Sequence, residues 1–133
     1  MKVYLDANFF VFAGFDATEK GNQARKILEQ IVLGKKQATT SALCLDEVMW
    51  TLLKNKAKQK IRSHLEDTYS IPNLKIVSGT SLSPLRAVDF MEKYNLKPRD
   101  AFHAAIMQEQ NLNTIISDDK DFDKIKEIKR IWK

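Results

Sequence analysis

The opening stretch, residues 1–12, constrains the fold more than any other part of the chain. An apolar run at residues 3–5 leads directly into Asp6 with no turn residue before it, which is typical of a buried strand. A helix-like apolar pattern follows at Phe9, Phe10 and Phe12. In open α/β sheets ligands bind outside the carboxyl ends of the strands, so Asp6 lies where such a fold performs its chemistry. Capping of the following helix explains Asp6 equally well when that residue is taken alone.

The rest of the chain alternates strand-like with helix-like segments. Further strands are predicted at residues 37–40, 74–77 and 114–117 and near 128–131, and the intervening segments repeat their apolar residues at helical spacing. Residues 14–21 are predicted to form a loop. Later in the chain, Ser81 or Ser83 is predicted to cap the helix that carries Leu85, Val88 and Met91. This alternation predicts a mostly parallel sheet with helices on both faces, in a single domain that spans residues 1–133.

Charge and composition narrow the function classes. The chain has 133 residues and a formal net charge of +5, which favours an anionic partner such as nucleic acid. Its single cysteine, Cys44, excludes an internal disulfide and a thiolate zinc cluster, and its apolar neighbours indicate a buried thiol. Lys2 and Asp6 interrupt the N-terminal apolar run, and no stretch reaches transmembrane length. We therefore expect a cytoplasmic protein without a membrane partner.

One segment is rich in positive charge. Five basic residues alternate with other residues in it, namely Lys54, Lys56, Lys58, Lys60 and Arg62. Such a run either binds the backbone of a nucleic acid or forms a solvated helix surface, and we favour the solvated surface.

Acidic residues recur at equivalent places in the predicted fold. Asp6 ends the first strand, Glu47 opens the helix after the second, and Asp119 follows the fourth. The exits of parallel strands share one edge of a sheet, so these three acids are predicted to lie together. Asp100 opens a helix that precedes a strand, and its position does not follow from this rule. Clustered carboxylates repel each other unless a cation such as Mg²⁺ or Mn²⁺ binds between them; alternatively, each acid is a cap or a surface charge.

Four short motifs occur in a fixed order and are distributed over almost the whole chain. They are Leu5-Asp6-Ala7-Asn8, Thr40-Ser41 followed by Asp46-Glu47-Val48, Pro98-Arg99-Asp100-Ala101-Phe102-His103-Ala104-Ala105, and Ser117-Asp118-Asp119-Lys120-Asp121-Phe122. Together they resemble the PIN-domain family, in particular VapC-type toxin ribonucleases and related small prokaryotic single-domain PIN proteins. The resemblance implies a three-layer α/β/α sandwich around a mostly parallel central sheet. It also implies a metal-dependent ribonuclease site built from acids.

The resemblance assigns roles residue by residue. It implies catalytic and metal-binding roles for Asp6, Glu47, Asp100 and Asp119, with Asp118 as a rival to Asp119, and it adds Asp121 to the metal ligands. Asp46 is expected to be exposed. Substrate-binding or supporting roles fall on Asn8, Ser41, Arg99, His103 and Ser117, and for His103 a hydrogen-bonded structural role is favoured.

The resulting functional hypothesis is an Mg²⁺- or Mn²⁺-dependent endoribonuclease. The resemblance implies cleavage of single-stranded RNA to a 3′-hydroxyl and a 5′-phosphate, with one or two metal ions. It also implies a toxin that pairs with an antitoxin, and a homodimer, for which the residues 9–15 and the helix from Ala42 offer apolar surface. The alternatives are a non-catalytic RNA-binding or regulatory PIN module, and a phosphatase with Asp6 as its nucleophile. A phosphatase of this kind normally has a second aspartate where this chain has Asn8.

Overall fold

In the part of the chain that the structure describes, five strands form one central sheet, and every pairing in it is parallel. The computed structural model describes residues 1–132. The strands are β1 (Lys2–Leu5), β2 (Gln37–Ser41), β3 (Leu74–Val77), β4 (Thr114–Ile116) and β5 (Lys129–Ile131). Their order across the sheet is β3-β2-β1-β4-β5. The predicted parallel sheet is confirmed, and each predicted strand is present at its expected place.

Within residues 1–132, six α-helices cover the two faces of this sheet. They are α1 (Ala7–Phe15), α2 (Glu19–Val32), α3 (Ala42–Lys54), α4 (Ile61–Tyr69), α5 (Ser83–Tyr94) and α6 (Pro98–Glu109), with 3₁₀ helices at Lys58–Lys60 and Lys120–Lys124. The chain moves in one direction across the sheet from β1 to β3 and returns to β4. Right-handed crossovers therefore place α1 to α4 on one face and α5 with α6 on the other. The contacts of α1 with α2 and α3, of α3 with α4, and of α5 with α6 agree with this three-layer α/β/α sandwich.

The loop predicted for residues 14–21 is largely helical instead, and that prediction is wrong. Helix α1 continues to Phe15, and only residues 16–18 connect it to α2. The two glycines in this segment allow close packing. A Cβ atom at Gly21 would lie 1.9 Å from the carbonyl oxygen of Asp16, and one at Gly14 would lie 2.9 Å from Cε1 of His64. Glycine is therefore required at position 21 for close approach to the backbone of Asp16, and at position 14 it makes room for the His64 ring.

The predicted cap of α5 is also wrong, and the actual contact explains where Asp100 lies. Leu82 precedes the helix, and Ser83 is already its first residue. The Ser83 hydroxyl accepts a hydrogen bond from the Thr80 amide at 2.8 Å and donates to Glu109 at 2.8 Å. The start of α5 therefore lies beside the end of α6, so the two helices are antiparallel. Since α6 then leads into the amino end of β4, its own first turn lies at the carboxyl edge of the sheet.

The hydrophobic core includes residues that we expected to supply apolar surface for a dimer. Phe9 and Phe10 are 0% and 2% exposed, so neither is available to a second molecule and the expectation is wrong for these two residues, whereas Phe15 is 41% exposed. On α3, Trp50 and Leu53 remain 58% and 47% exposed. Across residues 1–132, no helix combines the length and the apolar character needed to cross a membrane.

Candidate active site

A pocket opens at the carboxyl edge of the sheet, where the direction of the crossovers changes between β1 and β4. This is the place where open α/β sheets bind their ligands. The pocket is lined by Asp6, Ala7, Asn8, Val11, Phe12, Glu47, Thr51, Lys97, Arg99, Asp100, Asp119 and Asp121. It thus brings together the four acids predicted to be catalytic and the additional acid Asp121. Asp100 reaches the pocket because α6 starts at this edge of the sheet.

Asp6 is both a helix cap and a member of the pocket. Its side chain is buried and accepts hydrogen bonds from the Ala7 amide at 2.8 Å, from the Ser117 hydroxyl at 2.6 Å and from the Asn8 amide group at 3.3 Å. Burial raises the pKa of Asp6, and the Glu47 carboxylate adds to that increase, against the opposing effects of His103 and of two of the hydrogen bonds. Asp6 therefore both caps helix α1 and lies at the ligand-binding edge of the sheet, so the two explanations are compatible.

Glu47 projects into the pocket from the second turn of α3. The helix begins with a side-chain cap, in which the Ser41 hydroxyl accepts a hydrogen bond from the Cys44 amide at 3.2 Å. Oε1 of Glu47 accepts a hydrogen bond from Nε2 of His103 at 2.7 Å and lies 3.7 Å from Nε of Arg99. Its neighbour Asp46 is exposed, as predicted. The helix therefore presents Glu47, and not Asp46, to the pocket.

Asp100, Asp119 and Asp121 form the more exposed side of the pocket. One carboxylate oxygen from each lies within 4.8 Å of those of the other two. Burial raises the pKa of Asp100 to about 6, and the charges of Asp119 and Asp6 contribute to the increase. The three carboxylates offer oxygen donors at this spacing, and their mutual repulsion favours protonation of Asp100. Both features suit a hard divalent cation such as Mg²⁺ or Mn²⁺.

Asp118 and Asp119 point in different directions. Asp118 forms an ion pair with Lys20, and its backbone amide donates to Oδ1 of Asn8 at 3.1 Å. Asp119 accepts a hydrogen bond from the Asp121 amide at 2.9 Å, which caps the 3₁₀ helix Lys120–Lys124, and its own amide donates to Oγ of Ser117 at 3.0 Å. Of these two neighbouring acids, Asp119 is the one that lines the pocket.

The residues predicted to support the site divide into three groups. Asn8 and Ser117 belong to the hydrogen-bond network of Asp6, and their side chains are bonded to each other at 3.2 Å. Arg99 is exposed at the pocket mouth. Ser41 and His103 are 0% and 1% exposed and lie behind the pocket, so neither faces a substrate directly.

Sequence reasoning missed several residues around the pocket. Tyr4, which is fully buried, bonds to both Ser41 and His103. It lies two residues before Asp6 on β1, so the period-two alternation of a strand places both side chains on one face and provides a usable signal. Thr51 lies one helical turn after Glu47, and the same kind of spacing argument applies to it. Phe12 and Lys97 also line the pocket, and neither had been assigned to the site.

Solved structures with the same fold come from several bacteria. VapBC2 from Rickettsia felis, bound to a DNA fragment from its promoter, has a TM-score of 0.76 at 19% identity, over 98% of each chain. Mycobacterium tuberculosis VapC20, a sarcin-ricin loop cleaving toxin, has a TM-score of 0.73 at 15% identity, over 91% of this chain and 92% of its own. A toxin-antitoxin complex from Klebsiella pneumoniae has a TM-score of 0.68 at 23% identity, over 96% and 95%. At these identities the likeness establishes the fold.

Sequence comparison identifies the family directly. No curated protein sequence matches the chain. The family model of the PIN domain, however, matches residues 3–128, which include the four motifs and all of the acids in the pocket. The chain therefore belongs to the PIN-domain family.

Proposed function

We propose that this protein is an endoribonuclease that depends on a divalent cation and hydrolyses phosphodiester bonds in single-stranded RNA. The observation that carries the proposal is the convergence of Asp6, Glu47, Asp100 and Asp119 on one pocket at the carboxyl edge of the sheet. Membership of the PIN-domain family supports it. We further propose that residues 1–133 act as a single catalytic domain in the cytoplasm.

The donor set in the pocket fits Mg²⁺ or Mn²⁺. Asp6, Glu47, Asp100 and Asp119 would hold the cation, directly or through water, and Asp121 would complete the set. When bound, such a cation acts as a Lewis acid towards phosphoryl oxygens and makes water more acidic. The raised pKa of Asp100 supports this assignment, because the repulsion among the carboxylates would be relieved by a positive charge between them.

Other residues of the pocket suit an RNA strand. Lys97 and Arg99 are exposed at the mouth, where they would bind phosphate groups on either side of the cleaved bond. Val11 and Phe12 add apolar surface to the pocket lining, which suits a base or a ribose. Hydrolysis would add water across the bond between phosphorus and the 3′-oxygen, with a 3′-hydroxyl and a 5′-phosphate as products.

We also propose a protein partner of the antitoxin class, and a homodimer. The support for the antitoxin comes from structural neighbours that are themselves toxin-antitoxin or VapBC complexes. A groove between α3 and α4 offers an apolar surface for a partner, with Met49, Ile61, Leu65 and Tyr69 among its lining residues. Light scattering of the purified protein, alone and with the product of a neighbouring small open reading frame, tests both assemblies.

The decisive experiment is cleavage of labelled single-stranded RNA by protein that has been stripped of metal. We expect cleavage only after Mn²⁺ or Mg²⁺ is added. Asp6→Asn should reduce the rate by orders of magnitude, since loss of metal-assisted stabilisation costs several kcal/mol. Asp46→Asn, an exposed acid beside Glu47, is the matched control and should cleave normally.

Three outcomes would contradict the proposal. Full activity in Asp6→Asn would exclude the metal mechanism at this pocket. RNA binding without cleavage in any metal would favour the non-catalytic PIN module. A stable phospho-enzyme that disappears in Asp6→Asn would favour the phosphatase.

A further inference from the structure

A continuous chain of buried hydrogen bonds lies directly behind Glu47. Nε2 of His103 is 2.7 Å from Oε1 of Glu47, and Nδ1 of the same ring is 2.9 Å from the Tyr4 hydroxyl. The Tyr4 hydroxyl is in turn 2.7 Å from Oγ of Ser41, which accepts the Cys44 amide of α3 at 3.2 Å. The chain thus runs from the pocket through an imidazole ring to the backbone of the helix that carries Glu47.

The direction of the contact with Glu47 is determined by chemistry. A carboxylate only accepts hydrogen bonds, so Nε2 of His103 must carry a hydrogen and donate it, whether the ring is neutral or charged. The carboxylate of Asp6 lies 3.9 Å from the same nitrogen, and both acids therefore face the donor edge of the ring. His103 is 1% exposed, which leaves the ring no competing contact with bulk water.

Both ring nitrogens are already engaged, and this argues against His103 as a metal ligand. Donor atoms of Asp6, Cys44 and His103 do lie within 4.8 Å of one another, as a metal site would require. Ligation by His103 would nevertheless break its bond either to Glu47 or to Tyr4. Buried polar groups that lose a partner in this way carry a desolvation penalty.

We propose that His103 is a positioning residue whose Nε2–H holds the Glu47 carboxylate in the orientation needed for cation binding, while Tyr4 and Ser41 hold the imidazole ring. This inference rests on the proposed function, because it assigns the cation to Glu47. Residues that orient metal ligands through hydrogen bonds typically change metal affinity or activity about 10–100-fold when they are replaced. A purely structural histidine would instead affect folding stability and leave metal affinity unchanged.

A calorimetric titration of the metal-free protein with Mn²⁺ alone, at neutral pH, tests the inference without RNA. His103→Leu should weaken Mn²⁺ binding by about 10–100-fold. His103→Gln should restore most of the lost affinity, since the glutamine amide places a donor near the position of Nε2. His64→Leu, which replaces the other histidine of the chain away from the pocket, is the control and should bind Mn²⁺ normally.

The outcomes separate this inference from the proposed function. Wild-type protein that binds no Mn²⁺ overturns the proposed function and this inference with it. Wild-type protein that binds Mn²⁺ with the same affinity as a folded His103→Leu overturns this inference alone. An affinity in His103→Gln as low as in His103→Leu would also overturn it, because the donor would then not be what matters.

Nitrogen-15 spectra of the histidine rings provide a readout that remains valid if His103→Leu fails to fold. In metal-free wild type, Nε2 of His103 should be protonated, and Glu47→Gln should shift its resonance. Asp46→Asn should leave that resonance in place, because Asp46 points to solvent. An unprotonated Nε2, or a resonance that does not respond to Glu47→Gln, would overturn the inference.

Discussion

The pocket has two sides that differ in how many hydrogen bonds hold their acids. The inner acids, Asp6 and Glu47, are held by hydrogen bonds, with three donors on Asp6 and the His103 ring on Glu47. The outer acids, Asp100, Asp119 and Asp121, lie close to one another on the first turn of α6 and on a 3₁₀ helix. Among residues 1–132, no hydrogen-bond donor contacts the Asp100 carboxylate, and its pKa rises to about 6 through burial and neighbouring charge.

This difference concerns how the charges of the clustered carboxylates are stabilised. The inner acids are oriented by hydrogen bonds within the protein, although burial still raises the pKa of Asp6, so their geometry does not depend on a ligand. Among the outer acids, Asp100 lacks such donors within the described residues and has a raised pKa, so a cation bound beside it would stabilise the folded chain. Substitutions on the two sides should therefore have different consequences for stability, metal binding and cleavage.

The largest effect is expected from an inner acid. Glu47→Gln should reduce RNA cleavage at least about 100-fold, since it removes a carboxylate from the pocket while preserving the size of the side chain. Asp46→Asn, one residue earlier and exposed, should cleave at the wild-type rate. Single-turnover kinetics on labelled RNA measure both variants. Equal rates for the two would remove Glu47 from the mechanism.

The hydrogen bonds of the inner side should matter for folding as well. Ser117 is fully buried and bonds to Asp6, to Asn8 and to the Asp119 amide. Ser117→Ala should therefore lower the free energy of unfolding by about 1–3 kcal/mol, because it leaves buried polar groups without partners. Urea unfolding measures this loss. Ser63→Ala, at an exposed position, is the control and should change stability by no more than about 0.5 kcal/mol.

An outer acid should behave in the opposite way when metal is absent. Asp100 keeps its proton to a higher pH in the folded than in the unfolded chain, so folded protein binds more protons between about pH 4 and pH 6. Metal-free wild type should consequently lose stability as the pH rises through this window. Asp100→Asn should remove this loss and gain about 1 kcal/mol at pH 7, a value reduced for solvent screening at a half-buried site.

Urea unfolding of metal-free protein at several pH values measures this effect. Asp89→Asn, at an exposed position on α5, is the control and should follow the wild-type profile. A lower stability of Asp100→Asn at neutral pH would show that the outer acids are compensated without a cation. Added Mn²⁺ should raise the stability of wild type and have little effect on Asp100→Asn.

The smallest effect is expected far from the pocket. Lys54, Lys56 and Lys58 are all exposed, which agrees with a solvated surface. Their combined neutralisation should leave the salt dependence of RNA binding almost unchanged. Neutralisation of Lys97 and Arg99 should reduce the slope by about 0.7 for each lost single-strand contact. Filter binding across a salt series compares the two variants, and a larger reduction in the lysine variant would identify the run as an RNA contact.

The sequence was sufficient for the elements that follow simple periodicity. The strands, the parallel sheet and the start of α6 were all predictable. Strands and helices follow from the pattern of apolar residues along the chain, and their alternation predicts parallel pairing. The glycines at 14 and 21 misled the prediction, since their role is close approach between distant segments. Such approach depends on tertiary packing, which no local pattern records.

The site was predictable only in part. Asp6 and Glu47 follow strands, so their shared edge could be inferred from topology alone. The place of Asp100 required the antiparallel arrangement of α5 and α6, and the sequence assigned it only through the family resemblance. The choice of Asp119 over Asp118 depends on the ion pair between Asp118 and Lys20, two residues 98 positions apart in the chain. The spacing of residues along the chain does not predict contacts between residues so far apart in sequence.

The central claim is that the acids of this pocket hold a divalent cation, and the neighbouring pair Asp118 and Asp119 tests it most directly. Calorimetric titration of metal-free protein with Mn²⁺ should give equal affinities for wild type and Asp118→Asn, since Asp118 is paired with Lys20 outside the pocket. Asp119→Asn should bind Mn²⁺ at least about 10-fold more weakly, since an anionic oxygen ligand is lost. Unchanged affinity in Asp119→Asn, or a loss confined to Asp118→Asn, would contradict the account.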